Sequence, residues 1–570
     1  MVHLSPSTNQ RSGGPRVLPI VTMNNDSYDP GFEFAQWTLD HVLKWRSGLS
    51  KDRPLIQFED DAPVSVAGLY ELARGYAQTL VTSGLKPHDR LVLVAENSID
   101  HLAVWFATNL AGAANVPINP VLTGVMLARS LQLVEPEIVV VDASVLPALA
   151  GICHNVASLR RIFWIGEACD IPDFGAISCE RLEPGDPALA VLPEGKPSDI
   201  ASILFTSGTS GPAKGVMVTQ AQCYLTALQT LQGLRIGPED TCYFAHPLFH
   251  MSPRFCAVYA SLLAGANICF DRKFNAERWL DRIRQSRSTF TIGHGPLLEM
   301  IHAQPERPDD ADTHLTRLGT APFPKHIAAD FERRFGVKGI ETWGMTEINI
   351  PCWHPYDAPL KAGACGVIRE EWYEFRVVDP DTDLEVPTGE TGEFVIRPKL
   401  PWIVSPGYYR NDAATMAAWR NLWFHSGDTG YVDAEGWLYF VDRLGDRIRR
   451  RAENISSYDI EAAANLHPAI QESAAVGVPS EFAADEDIKL CILCRPGARF
   501  DPHDIMIHLA RELPHHMVPR YLEEIEEMPR TPTQKIRKEI LRKAGAGSSA
   551  WDRKAAGVDL RALISAARSS

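Results

Sequence analysis

The densest chemistry in this 570-residue sequence is the string TSGTSGPAKG, Thr206 to Gly215. An apolar run, SILF, leads into hydroxyl side chains, three Gly and one Lys. Glycine lets a backbone turn tightly and approach an anion closely. Successive N–H groups can then cradle phosphate oxygens, with hydroxyls and Lys214 adding charge-assisted bonds. The spacing differs from the common phosphate loop, Gly-x4-Gly-Lys-Ser/Thr, because Gly215 follows Lys214. The bland alternative is a solvated Gly/Ser loop.

Other groupings carry less. His246 and His250 in HPLFH stand four apart, but Pro247 argues against a helix and no His-Glu-x-x-His accompanies them, so zinc is not expected. Cys491 and Cys494 fall inside an alternating run, KLCILC, which reads as strand packing. Asp379, Asp381 and Asp383, with Glu390, imitate a calcium loop; Leu384 stands where glycine is required, so a hairpin turn is expected. Arg447–Arg451 is a short basic run in a chain with net charge −15, which argues against nucleic acid as a partner.

The elements that must position these residues follow from apolar periodicity. Leu69, Leu72, Tyr76 and Leu80 recur at helical spacing and Gly84 stands where that helix should stop. LVLVAEN (91–97), a helical HLAVWFATNLAGA, and EIVVVDAS (137–144) read as strand, helix, strand with buried parallel strands. ASILF (201–205) and NICF (267–270) continue the alternation. Between 370 and 442, short β runs separated by Gly, Pro and Asp predict antiparallel hairpins. Beyond the basic run, a helix near 458–466 and strands at SAAVGVP and KLCILC predict a compact α+β unit.

Composition bounds the class. With 45% hydrophobic and 22% charged residues the chain is globular. Eleven scattered Cys do not make a disulfide scaffold, and a reducing compartment fits. No apolar stretch reaches the roughly 18–20 residues that span a bilayer, and residues 1–20 contain no apolar core of signal-peptide length. A cytoplasmic enzyme is the expectation, with no integral membrane segment. The fold class is α/β: a large multi-layer N-terminal domain of βαβ units with a β-rich subdomain, plus a small mobile α+β C-terminal domain. The expected bounds are a flexible tail 1–30, the large domain 31–442, a hinge 443–446, the small domain 447–545 and a loose tail 546–570.

At TSGTSGPAKG the sequence resembles the AMP-forming acyl- and aryl-CoA synthetases, the superfamily that includes luciferases and peptide-synthetase adenylation domains. PLFH (247–250), GTAPFP (319–324), ETWGMTE (341–347), HSGDTGY (425–431), DRLGDRIRRRAENIS (442–456) and PRTPTQKIRK (529–538) follow in that family's order. The segments WRNLWFHSGD and RRRAENISSYDIE look most like the carnitine/crotonobetaine-CoA ligase branch.

The resemblance implies ATP-dependent activation of a small carboxylic acid to acyl-AMP, then transfer to coenzyme A, with ATP, Mg²⁺ and coenzyme A as the small molecules used. It implies that Thr206, Ser207, Gly208, Thr209, Ser210, Gly211 and Lys214 hold phosphates. Gly319, Thr320, Ala321 and Pro322 would flank the adenine, with Trp343 stacked on it and Gly344 and Met345 beside it. Thr346 would bond the α-phosphate, Glu347 would hold Mg²⁺, and Asp428 and Arg443 would take the ribose. Lys535 is the implied catalytic lysine, bridging carboxylate and α-phosphate, and His250 lines the carboxylate's entry. Tyr243, His250, Gly293, Gly295 and Ile348 are the expected acyl pocket, and Arg449, Arg451 and Ala452 the coenzyme A channel. Gly445 takes the hinge position, where the family more often has Asp or Lys. Arg451-Ala452-Glu453-Asn454 replaces the usual Gly-Gly or Arg-Gly before Glu-Asn, and Gln534 replaces a Gly. A carrier-protein acceptor, an enzyme specialised in one half-reaction, a non-catalytic acyl-nucleotide binder and a homodimer stay open.

Overall fold

The computed structural model describes residues 30–49, 53–167, 169–206, 214–444, 448–450, 453–455, 457–480, 486–513, 517–530, 536–547 and 549–559. Among these the chain forms two large, mainly parallel sheets, a four-stranded antiparallel sheet, a two-stranded ribbon and a four-stranded C-terminal sheet. This is the mixed α/β fold, with a large N-terminal part and a small C-terminal one, that the alternation predicts.

The seven-stranded sheet runs, in spatial order, Ser178–Arg181, Arg161–Ile165, Ile138–Asp142, Arg90–Val94, Ala114–Ile118, Ile200–Thr206 and Lys214–Thr219. Only its last pair is antiparallel, with Thr206 opposite Lys214. The nine-stranded sheet is parallel from Pro54–Phe58 through Asn267–Phe270, Thr241–Phe244, Phe290–Gly293 and Arg317–Thr320 to Lys338–Met345, with antiparallel strands at both edges. The predicted helix is Val66–Thr82, capped by the Ser65 hydroxyl accepting from the Gly68 N–H. Its Leu69, Tyr76 and Leu80 are buried. Gly84 follows at φ +107°, a conformation that favours glycine.

Between the large sheets lies Gln220–Leu234, a helix in which all fifteen residues are buried. It touches strands of both sheets. A helix buried all round must satisfy its polar side chains inside the protein. Gln220 Oε1 accepts from Leu39 N–H, Gln222 Nε2 donates to the Thr346 carbonyl, Gln229 Nε2 to the Tyr373 hydroxyl, and Gln232 Oε1 accepts from Arg369.

The hairpins expected over 370–442 form as Tyr373–Val378, Gly392–Pro398, Phe424–Val432 and Leu438–Arg443. Asp379 Oδ1 accepts from the N–H groups of Asp381 and Thr382, closing the turn that imitates a calcium loop. In the C-terminal sheet Cys491 is fully buried, and Trp551–Asp552 pairs with Tyr521–Glu524. That pairing, with Arg553 buried at 6% exposure, draws into the sheet residues whose composition suggests a tail.

One side chain fastens the two large sheets at their strand ends. Asn97, after strand Arg90–Val94 and 2% exposed, donates to the carbonyls of His246 (3.0 Å) and Asp271 (2.9 Å) and accepts from Leu248 N–H (2.8 Å). Asn97→Ala leaves three buried groups unpartnered and should cost about 3 kcal/mol. Asn97→Asp, which sets an acid against two carbonyls, should cost at least as much. Thermal unfolding of both variants checks this; a midpoint unchanged in either refutes the clamp.

Candidate active site

Four parallel strands end on one cavity of about 1670 Å³. Thr241–Phe244 delivers Ala245, His246 and His250; Phe290–Gly293 delivers Ile292 to His294; Arg317–Thr320 delivers Gly319 to Pro322; Lys338–Met345 delivers Thr342 and Gly344 to Thr346. Clefts at the carboxyl ends of parallel strands are where α/β proteins place ligands. Sequence order thus becomes a single wall: expected residues His250, Gly293, Gly319, Thr320, Ala321, Pro322, Gly344, Met345 and Thr346 all face it.

Behind Thr346 the charged groups gather. Glu347 is buried, and burial raises its carboxyl above the ordinary range while the nearby Arg443 opposes this. The Tyr408 hydroxyl donates to Glu347 Oε1 at 3.0 Å, and Lys214 Nζ lies 4.8 Å from the centre of the Tyr408 ring. Lysine over an aromatic face is held by the ring quadrupole. Lys214 is therefore tied through Tyr408 to Glu347, a link the motif alone does not reveal. Asp428 and Arg443 stand directly opposite in neighbouring antiparallel strands, with Arg443 Nε 2.9 Å from Asp428 Oδ1. Asp428 Oδ2 accepts from Trp343 Nε1–H at 2.9 Å. The indole of Trp343, expected to stack on a base, is 5% exposed and packs edge-on to Phe394 and Phe375.

The expected acyl pocket divides. Gly293 and His250 are on the cavity surface. Tyr243, Gly295 and Ile348 are buried behind it: Tyr243 donates its hydroxyl to Asp271, and Gly295 is backed by Pro322 and Pro324. The wall is made instead by Thr230, Leu234, Met251, Cys256, Ile350 and Trp353. None of these belongs to a motif; they meet only because the central helix is sandwiched between the sheets. His246 and His294 also face the cavity, their rings 5.2 Å apart. Burial first, then His294 and His250, hold His246 well below the ordinary histidine range. Among the described residues no group of three His, Cys, Asp or Glu converges on a metal.

The mouth is charged. Arg272, Lys273, Glu277 and Glu299 stand on the large domain; Glu472, Arg495 and Arg530 face them from the C-terminal part. Arg530 pairs with Glu472, and Arg530 also forms an isolated bridge with Ile536. Thr206 ends the strand opposite Lys214. Ser207, Gly208, Thr209, Ser210, Gly211, Gly445, Arg451, Ala452 and Lys535 lie outside the described residues, as does the side chain of Arg449.

The sequence profile described as AMP-binding enzyme matches residues 43–409, and that of the AMP-binding enzyme C-terminal domain matches 459–535. A crotonobetaine/carnitine–CoA ligase of Salmonella paratyphi B is 28% identical over 510 residues, 87% of this chain and 97% of that protein. The medium/long-chain-fatty-acid–CoA ligase FadD17 of Mycobacterium marinum is 30% identical over 478 residues, 82% and 88% of the two chains. The crystal structure of the anthranilate CoA ligase AuaEII in complex with anthranoyl-AMP shares the fold, with TM-score 0.81 at 22% identity over 90% of this chain and 98% of that one.

Beside the site, Glu341 is 4% exposed and burial pushes its carboxyl up to about 8. The folded chain therefore favours the protonated acid. The associated stability is intact below about pH 4.5 and is lost as pH rises through about 8. Thermal midpoints of wild type and Glu341→Gln should run parallel below about pH 4.5, with wild type falling relative to the variant up to about pH 8; parallel curves throughout would exclude this burial effect.

Proposed function

Because this chain belongs to the AMP-binding enzyme family, we propose that it is an AMP-forming acid–thiol ligase, converting a small carboxylic acid, ATP and coenzyme A to acyl-CoA, AMP and pyrophosphate. The observation that carries the reading is the cavity's two characters. Thr346 and Gly319 to Pro322, with Glu347, Tyr408 and Lys214 behind, make a polar end suited to phosphate and base; the other end is apolar. An acyl-adenylate has the same two halves.

In the first half-reaction a carboxylate oxygen bonds to the α-phosphorus and the bond to pyrophosphate breaks. In the second, the thiolate sulfur of coenzyme A bonds to the acyl carbon, AMP leaves, and the thiol's proton goes to solvent. Anion attacks anion in the first step, so charge neutralisation and alignment dominate. Thr346 bonds the α-phosphate, and Lys214 and the 207–211 loop take the distal phosphates. Asp428, its carboxylate fixed by Trp343 and Arg443, accepts the ribose hydroxyls. Lys535 bridges the carboxylate and the α-phosphate, and His250 lines the entry.

Mg²⁺ fits Glu347: the carboxylate is buried, and a cation there offsets the burial that raises its pKa. With no three-residue metal cluster among the described residues, the other ligands would be phosphate oxygens and water, as Mg²⁺ prefers. When bound, the ion neutralises phosphate charge. The small domain turns about 443–446 between half-reactions, and Arg449, Arg451 and Ala452 border the coenzyme A channel. Eleven free cysteines suit a reducing cytoplasm, and no described helix is long and apolar enough to cross a membrane.

A panel of carboxylic acids with ATP and Mg²⁺, with and without coenzyme A, followed by mass spectrometry, should yield acyl-CoA and AMP. Acyl-AMP without acyl-CoA would favour a carrier-protein acceptor. Lys535→Ala should lower acyl-AMP formation about 100-fold or more, while thioester formation from supplied acyl-AMP survives; normal adenylation by that variant would refute the role.

A further inference from the structure

The closed end of the cavity is built by Thr230, Leu234, Cys256, Ile292, Ile350 and Trp353, each no more than 8% exposed. None carries charge: Cys256 is a neutral thiol, its pKa pushed up to about 11 by burial. The charged lining residues belong to the mouth, where Arg272, Lys273, Glu277 and Arg495 are exposed and Glu299, Glu472 and Arg530 half-buried. The wall's strong donors are already used. Thr230 donates its hydroxyl to the Thr226 carbonyl, neighbouring Thr342 to the Thr320 carbonyl, and Trp353 its Nε1–H to the Ile350 carbonyl. A second carboxylate among these six residues would find no counter-charge and no N–H that is not already bonded. A quaternary ammonium would find one aromatic ring among them, where recognition by aromatic faces gains from several. Either would lose its hydration without replacement, whereas an apolar group gains by leaving water.

The indole of Trp353 is also fixed. It is 1% exposed and fills the notch left by Gly233, where an added Cβ would lie 2.3 Å from its Cε3 atom.

We propose, building on the ligase reading above, that the acid accepted by this chain has an uncharged, apolar acyl group, and that Trp353 stops it and sets its length. This separates the chain in substrate class from the carnitine-type ligases it resembles in sequence.

The test compares octanoate, the dicarboxylate suberate and the quaternary ammonium acid carnitine, by AMP release and by binding of the matching non-hydrolysable acyl-sulfamoyladenosines to the full-length protein. The expected result is a preference of about 100-fold or more for the octanoyl group in both measurements. A charged acid used within about tenfold of octanoate would overturn the inference and leave the ligase reading standing. AMP release from no acid would sink the ligase reading; the analogue ranking then decides this inference alone, and equal binding overturns it. Trp353→Leu should raise kcat/KM for acids about two methylenes longer by about tenfold relative to octanoate. Trp353→Phe, a smaller change, gives the same direction should the leucine variant not fold. An unmoved length preference in a folded variant removes Trp353 as the stop.

Discussion

A helix with no solvent face constrains everything packed around it. Gln220–Leu234 separates the two large sheets, and each of its glutamines bonds to a different part of the chain: the first helix of the described chain, the turn carrying Thr346, the Tyr373 strand and the segment at Arg369. Those bonds anchor the helix, and its packing against strands of both large sheets sets their separation. They also bring Thr230 and Leu234 to the inner wall of the cavity. The same helix is thus a structural spacer on three sides and a ligand-facing surface on the fourth. Asn97 adds a second tie at the strand ends, where small displacements would open the cavity.

Much of this was legible in the sequence because the signals were local. Period-two and period-3.6 patterns marked the βαβ units, and NICF and the 370–442 hairpins form where their residues predicted. The ordered motifs identified the family, and nine of the expected site residues meet on one wall. What the sequence concealed was tertiary. In Gln220–Leu234 the leucines recur at helical spacing, but the opposite side carries Gln222, Thr226, Gln229 and Thr230, so nothing in the pattern announced a helix buried all round. Trp353, Cys256 and Leu234 look like ordinary core residues until two sheets place them around a common space. Tyr243, Gly295 and Ile348 sit within the right segments, but on the side facing the protein's interior. Trp343 shows the same limit: the motif gives its position, while Phe375 and Phe394 decide how its ring is packed.

Electrostatics at the polar end are arranged in pairs rather than as isolated charges. Glu347 has Tyr408 and, through it, Lys214; Asp428 has Arg443 and Trp343. Buried carboxylates are costly unless partnered, and these partners hold Glu347 Oε1 and both Asp428 oxygens in place before any ligand arrives. Preorganised groups need not reorient during a reaction, and for charge stabilisation that is where much of the catalytic advantage lies.

Asp442 and Arg443 are adjacent at the end of one strand yet serve opposite directions. Arg443 reaches Asp428, while Asp442 Oδ2 accepts both the backbone N–H and the hydroxyl of Ser457, the first residue of the helix Ser457–Asn465. Any movement of the C-terminal part away from that strand end would have to break two hydrogen bonds to one carboxylate, or carry the strand end with it. In the second case the pull reaches Arg443 and its partner Asp428 across the ladder. Grip on one ligand and the angle between two domains would then be a single mechanical variable, read at one peptide unit.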